Sequence, residues 1–294
     1  MPTSSLHGNG MLFFLLSNTY ETVVRTAVPF FFIASSFLLF DRKQASDHTQ
    51  VRKQAIRMCK MYFLWSAIYL PIAIYGYTLS GTSLIDAIIA YIAYFFAVGE
   101  HWYSYQLWYL LSSAYSFYAM YLLLKMNWKP WQILVLSSGV FFAVLILTNS
   151  LVDGCGRVFT GVFYLSIGMC IAEHREKLAT FRLICFPILI ISLLITILTN
   201  NVLSKTVLYY SFFVFVLQID FRDSVKYWFL RKSSTIIYYL HMMVFFALTL
   251  RSGIENRYSF ANLVICIMIC CFTCLIVLGI KPIRNSKVVR ILFG

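Results

Sequence analysis

The residues best suited to chemistry are histidines set among apolar residues. His7 precedes the run MLFFLL, and His241 lies about eight residues into the apolar segment of STIIYYLHMMVFF. A neutral imidazole accepts a proton from a hydroxyl near neutral pH, and an ionisable group inside a bilayer marks a pathway or a site by default. His241 equally suits a core histidine bonded to a neighbouring helix, so both interpretations stay open.

Two arginines are placed to meet an anion. Arg25 precedes AVPFFF at the predicted outer boundary of a span, where it either snorkels to the interface or holds a pyrophosphate or carboxylate by bidentate contact. Arg57 and Lys60 border the predicted cytoplasmic face, where they serve topology or meet a phosphorylated cytosolic ligand. The aromatic stretch 101–110 is typical of an interfacial belt and also suits a wall that stacks on a sugar ring.

The composition determines the class of protein. Hydrophobic residues make up 61% of the 294 residues and charged residues 12%, against about 45–50% and about 25% in globular domains. Because only helices or closed barrels satisfy the backbone in lipid, we expect an all-α polytopic membrane bundle, with 1–294 as a single domain. The net charge of +13 does not indicate nucleic-acid binding, since no basic run interleaved with aromatics lies in a soluble region.

Apolar segments predict about ten spans, the first of them truncated at its N-terminus. Complete segments are expected at 23–40, 59–79, 107–124, 131–149, 157–172, 183–199, 205–218, 233–250 and 260–280.

The distribution of basic residues predicts the orientation. Nineteen of the 24 Lys and Arg residues fall in the segments 41–60, 125–130, 173–182, 219–232 and 281–294. Cytoplasmic loops carry such an excess, so we expect a multi-pass protein of the plasma or inner membrane with a cytoplasmic C-terminus. Segment 80–106 then lies outside or dips in from there.

The opening residues are expected to form the outer half of the first span. Residues 7–17 would precede an outer turn at 18–22, and ten residues at ~1.5 Å each place His7 near mid-membrane. The opening lacks the basic region of a signal peptide.

Familiar hydrolase and metal motifs are absent from the sequence. It contains no GxSxG, no phosphate-binding glycine loop and no HExxH. Cys266, Cys270 and Cys274 recur at helical spacing, which favours packing over a metal stripe. We predict neither a metal site nor a bound cofactor.

Several segments, taken in order, resemble the membrane-bound acyltransferase-3 family, which includes bacterial O-acetyltransferases of surface polysaccharide and peptidoglycan. VVRTAVPFFFIASSFLLF resembles the second span of the family, with Ser36 where a glycine is usual. YQLWYLLSSAYSFYAMYLL resembles its His-Leu-Trp-Tyr-Leu entry, with Gln106 in place of the histidine. Three more segments resemble those of the family: the basic loop into the third span, GRVFTGVFYLSIGMCIAEHREKL, and the late span with His241. The resemblance therefore covers about 20–290.

The resemblance implies a function and roles for residues. Family members usually take acyl groups from cytosolic acyl-CoA and deliver them to extracytoplasmic glycans. The resemblance therefore implies an O-acyltransferase, most simply an O-acetyltransferase, that acts on a surface or lipid-linked glycan. His7 matches the catalytic base, although the basic residue expected 11 positions upstream has no counterpart in this sequence. The implied contacts to donor or acceptor are Arg25, Ser35, Arg57, Trp108, Tyr109 and His241.

Two alternatives stay open. The same fold also suits a polysaccharide exporter or small-molecule permease, because intramembrane arginine and histidine serve a conduction path equally well. An inactive truncated remnant would keep the fold and lose acyl-CoA binding.

Overall fold

The protein is helical throughout the part of the chain that its structure describes. The computed structural model describes residues 5–41, 48–101, 103–148, 156–179, 182–219, 225–252 and 259–293. About 90% of these residues are helical and none of them forms a strand. The all-α prediction is therefore confirmed, as expected for backbone that must satisfy its own hydrogen bonds in lipid.

The helices follow one another with short connections. In chain order they are α1 (Ser5–Phe40), α2 (His48–Leu79), α3 (Leu84–Ala97), α4 (Trp108–Lys125), α5 (Pro130–Thr148), α6 (Gly156–Glu173), α7 (Arg175–Ala179), α8 (Arg182–Thr199), α9 (Val202–Leu217), α10 (Val225–Ser252), α11 (Phe260–Gly279), α12 (Lys281–Arg284) and α13 (Lys287–Phe293). A 3-10 turn, Tyr105–Leu107, leads into α4.

Six of the described helices are long and apolar enough to cross a membrane. They contain the segments Ser17–Phe40, His48–Leu79, Tyr105–Lys125, Pro130–Leu147, Trp228–Arg251 and Phe260–Gly279. Three shorter apolar helices cover Leu84–Ala97, Ile184–Thr199 and Val202–Leu217. The protein is thus a multi-pass membrane protein, whereas the expected number of about ten spans is not confirmed.

The expected outer turn at 18–22 is wrong. These residues belong to α1, which runs unbroken from Ser5 to Phe40. The polar residues that suggested a break form a packing contact instead, since Asn18 is buried and its Nδ2 donates to the Ile197 carbonyl at 2.9 Å. His7 therefore continues the axis of the span by about 15 Å beyond Ser17, rather than lying beside it near mid-membrane; its side chain is outside the described residues.

The chain divides into two compact units. Unit 1 comprises Met1–Lys53, Ser116–Leu151 and Val158–Phe221, and unit 2 comprises Gln54–Tyr115, Val152–Arg157 and Arg222–Gly294. The prediction of a single domain over 1–294 is not tested by this division and stays a prediction.

In unit 1, α1 packs against α8 and α9 and comes very close to α6. A Cβ added at Gly168 of α6 would stand 2.2 Å from the Ile33 carbonyl oxygen and 3.0 Å from the Ser36 Cβ. Small residues allow helix backbones to approach in lipid. The fully buried Ser36, which replaces the glycine usual in the family, is accommodated because the facing residue is glycine.

In unit 2, the central contact is between α2 and α10. Trp65 stacks on Tyr239 with ring centroids 4.5 Å apart, and the Tyr69 hydroxyl donates to the Tyr239 carbonyl at 2.6 Å. On the other side of α10, the cysteine stripe of α11 is buried, and the Cys266 thiol donates to the His241 carbonyl at 3.5 Å. This stripe is a packing face, as the sequence favoured.

Candidate functional site

The loop 98–104 of unit 2 buries a histidine that the sequence did not single out. Gly99 has φ +71°, which suits glycine, and a Cβ there would stand 3.0 Å from Leu111 and 3.1 Å from the Cα of Trp108. The loop is therefore pressed against α4. This arrangement leaves His101 only 2% exposed.

His101 is surrounded by tyrosines. Its ring stacks on Tyr91 with centroids 4.0 Å apart, and its Nδ1 lies 3.5 Å from the Tyr77 hydroxyl. Nε2 has no hydrogen-bond partner among the described residues. Burial lowers the pKa of His101 from 6.5 to about 4, so the ring is neutral at pH 7 and its nitrogens can accept or donate one hydrogen bond each.

A charged group adjoins this histidine. Glu100 forms an ion pair with Arg157, whose guanidinium also lies over the Trp108 ring, 5.0 Å from the centroid. The Ser112 hydroxyl donates to the Arg157 carbonyl at 2.7 Å and fixes the start of α6. The predicted site residue Trp108 is thus half-buried, with one ring face in contact with the Arg157 guanidinium.

A second group of aromatic residues lies deeper in unit 2; we call Tyr69, Tyr109, Tyr238 and Tyr239 the tyrosine cluster. The Tyr109 ring meets the edge of Tyr238 at 6.1 Å, and the Tyr238 hydroxyl donates to the Gln106 carbonyl. The Gln106 carboxamide is buried beside the Tyr69 hydroxyl, although neither of its polar atoms forms a hydrogen bond of normal geometry with a described residue. A buried amide of this kind calls for a partner, and it stands where the family has its histidine.

His241 lies two residues beyond Tyr239 on α10. Its Nδ1 is 2.9 Å from the Ile237 carbonyl, four residues earlier. A carbonyl oxygen only accepts, so Nδ1 carries the proton of this hydrogen bond, and Nε2 is the ring nitrogen left for a substrate. His241 is half-buried rather than fully enclosed.

Arg57 is exposed near the start of α2 in unit 2. It lies near enough for its positive charge to act on Tyr239 of the tyrosine cluster. Two of the predicted site residues thus lie on or against α10, His241 on the helix itself and Tyr109 packed on Tyr238.

The other predicted residues belong to α1 in unit 1. Arg25 is half-exposed, and its Nε lies 3.0 Å from a carboxylate oxygen of Glu21. Lys205 of α9 approaches the same oxygen at 3.9 Å, so Arg25 is already engaged by a carboxylate. Ser35 is partly buried about three turns further along the helix, and the side chain of His7 is outside the described residues.

Comparison with known proteins decides the family. A family model described as an acyltransferase domain matches residues 2–280. The chain belongs to the acyltransferase-3 family. No curated protein and no solved structure shows a significant match to it.

For an acyltransferase-3 protein, the features that sequence reasoning missed are His101, Glu100 and Arg157. Glu100 and His101 lie at the start of the aromatic stretch 101–110, which suggested an interfacial belt, and Arg157 reaches Glu100 only in the folded chain. The signal that was available is Glu100 next to His101, two ionisable residues within an otherwise apolar and aromatic region. Burial of His101 depends on contacts with α2 and α3, which the local sequence does not reveal.

Proposed function

We propose that this membrane acyltransferase transfers an acyl group, most simply acetyl, from acyl-CoA to a hydroxyl of a cell-surface or lipid-linked glycan. The match of the acyltransferase domain over residues 2–280 is the observation that carries the proposal. A buried nitrogen of unit 2, His101 Nε2, supports it, because it has no hydrogen-bond partner among the described residues and buried polar atoms are normally paired. The proposed location is the plasma or inner membrane, with the C-terminus in the cytoplasm.

The reaction needs one base and no redox step. A histidine accepts the proton of the acceptor hydroxyl while the hydroxyl oxygen attacks the thioester carbonyl carbon. This attack forms the new C–O bond and gives a tetrahedral intermediate. The C–S bond then breaks, and the departing CoA sulfur takes up the proton that the histidine received. The products are the O-acyl glycan and free CoA.

His7 is the proposed base, by its resemblance to the family histidine. Arg25, Ser35 and Arg57 are proposed to order the phosphates of the donor or charges on the acceptor, and Trp108 and Tyr109 to contact the acceptor. His241 is also proposed to contact the substrate.

The test is acyl transfer by the purified full-length chain in liposomes, given acetyl-CoA and a panel of surface polysaccharides, with release of free CoA thiol as the readout. We expect His7→Ala to lower transfer by about 100-fold or more, the usual contribution of a general base. His174→Ala is the matched control, because His174 is exposed at the turn between α6 and α7. Full transfer by His7→Ala, with loss in His241→Ala or His101→Ala, would move the base to that histidine.

The same liposomes separate an enzyme from an exporter. An acyltransferase releases CoA only when an acceptor glycan is present and leaves an acylated glycan. An exporter of the same fold would move glycan across the bilayer without consuming acetyl-CoA, which would contradict the proposal.

A further inference from the structure

Unit 2 contains a cavity of about 180 Å³ at the beginning of α10. It is lined by α10, the end of α11 and the two short helices α12 and α13, and it is open on one side. The polar and aromatic residues of its wall are Trp228, Lys232, Arg284, Asn285, Arg290 and Phe293. This volume is below the ~300–1,000 Å³ of pockets that enclose a whole drug-sized ligand, so it suits one part of a larger molecule.

The wall of this cavity is positively charged. Lys232, Arg284 and Arg290 all line it, and the charges of Arg231 and Arg57 act on Lys232. Neither Arg284 nor Arg290 forms an ion pair with a carboxylate of the described residues. Arginine binds phosphate by paired N–H donors in a fixed geometry, so an anion with several oxygens is the ligand that this wall favours.

A flat aromatic surface completes the cavity. The Arg284 guanidinium lies 5.6 Å from the centroid of the Trp228 ring. This contact orients the guanidinium while leaving its charge uncompensated, because a ring quadrupole attracts a cation without neutralising it. Asn285 adds an amide that can donate to a phosphate oxygen.

The cavity is held in place by the core of unit 2. The Trp65 indole N–H donates to the Leu292 carbonyl at 3.0 Å, and the Phe293 ring packs 5.8 Å from that of Trp65. Because Trp65 also stacks on Tyr239, α13 is anchored to α2 and α10 at once. Arg290 is thereby carried on a docked helix, and the cavity is a built feature.

The position of the cavity along unit 2 fits a donor that enters from one side of the membrane. Arg57 and Tyr77, the latter beside His101, lie 20 residues apart on α2, which is about 30 Å and close to the thickness of the hydrocarbon core. The excess of basic residues predicts that the Arg57 end faces the cytosol. From Lys232, His241 is nine residues further along α10, about 14 Å.

We propose that this cavity seats phosphate groups at the nucleotide end of acyl-CoA, so that the thioester arm runs along α10 towards the tyrosine cluster and His241. The inference rests on the proposed function, since it assigns the donor site of that reaction. Arg284 and Arg290 bind the phosphates, Lys232 adds charge, and the remainder of the nucleotide lies outside the cavity next to Trp228.

The test measures binding of CoA to the full-length chain in nanodiscs of zwitterionic phosphatidylcholine by calorimetry. We expect the double variant Arg284→Gln/Arg290→Gln to weaken binding by about tenfold or more, the loss of at least one charge-assisted contact. The double variant Lys281→Gln/Lys287→Gln removes the same charge from the same two helices, but neither lysine lines the cavity. We expect it to stay within about twofold of wild type, and equal weakening by both pairs would overturn the proposal.

Two further experiments test the assignment of the cavity to the phosphates of CoA. Arg284→Lys/Arg290→Lys keeps the charge, and we expect it to recover part of the affinity; no recovery, in a variant with unchanged thermal unfolding, would overturn the assignment to phosphate. Nanodiscs that contain phosphatidylglycerol test a lipid headgroup as the source of phosphate. Loss of co-purifying phosphatidylglycerol in the glutamine pair, with unchanged CoA affinity, would assign the cavity to lipid and overturn the proposal.

The acyl-transfer assay distinguishes failure of this inference from failure of the proposed function. Transfer by the Arg284→Gln/Arg290→Gln variant with an unchanged KM for acetyl-CoA would overturn the donor cavity and leave the acyltransferase activity intact. Cavity-dependent binding of CoA by wild type without transfer to any acceptor would support the cavity and refute the activity.

Discussion

Arg157 and Arg284 each lie beside a tryptophan ring, at 5.0 Å from Trp108 and 5.6 Å from Trp228, yet their surroundings differ. Arg157 is largely buried and is paired with Glu100. Arg284 lines a cavity and has no carboxylate partner among the described residues.

The difference distinguishes a structural cation, Arg157, from Arg284, which is placed to bind an anion. At Arg157 the carboxylate supplies the countercharge, so the group is complete without a ligand, and its removal should cost stability. At Arg284 the tryptophan orients a charge that nothing on the described chain neutralises, so its removal should cost binding instead. The same cation–π contact therefore serves two purposes.

The largest effect is expected from removing the carboxylate of the paired arginine. Glu100→Gln leaves Arg157, whose side chain is 13% exposed, without its countercharge, and we expect the free energy of unfolding to fall by about 2–4 kcal/mol. Unfolding of the purified protein in detergent measures this loss. Glu176→Gln, at an exposed carboxylate of α7, is the control, and an equal effect of the two substitutions would refute a structural role for the pair.

A smaller effect is expected when His101, next to Glu100, is titrated. Its pKa is lowered by burial from 6.5 to about 4, so the unfolded chain binds the proton more readily than the folded one. Stability is therefore unaffected by this group above pH 6.5 and decreases as the pH falls from 6.5 towards 4, by about 2 kcal/mol at pH 5.

Unfolding curves of wild type and His101→Gln between pH 4 and 8 isolate this contribution, since other titrating groups are common to both. The difference between the two proteins should be constant above about pH 6.5 and change below it. A difference that does not vary with pH would mean that His101 is not buried in its neutral form.

The smallest effect is expected at the unpaired arginine. Arg284→Gln loses a cation–π contact and no ion pair, so we expect the free energy of unfolding to change by about 0.5–1 kcal/mol at most. The measurement is the same detergent unfolding as for Glu100→Gln. A loss as large as that of Glu100→Gln would remove the distinction between the two arginines.

Hydropathy predicted the helices well where an apolar run stands alone. The expected segments 131–149 and 260–280 correspond to α5, Pro130–Thr148, and α11, Phe260–Gly279. The prediction of a turn at 18–22 failed, because polar residues suggest a turn when the group that they hydrogen-bond is not known. The Asn18 side chain instead donates a hydrogen bond to the Ile197 carbonyl, nearly 180 residues away in the chain.

The candidate site was only partly predictable. Tyr109 and His241 were selected from resemblance and local pattern, and the structure places Tyr109 against α10, the helix that carries His241. His101 and the cavity were missed, since burial of the histidine depends on Tyr91 of α3 and Tyr77 of α2, and the cavity needs α13 to dock on Trp65.

By itself, the sequence determined that this protein is an all-helical membrane acyltransferase-3 member, because transfer of apolar side chains into lipid depends on composition along short segments and the family motifs lie in linear order. Only the tertiary structure decided which ionisable groups are neutralised and which are left without a countercharge. That distinction depends on distances of a few ångströms between residues far apart in the chain, as between Glu100 and Arg157 or between Trp228 and Arg284.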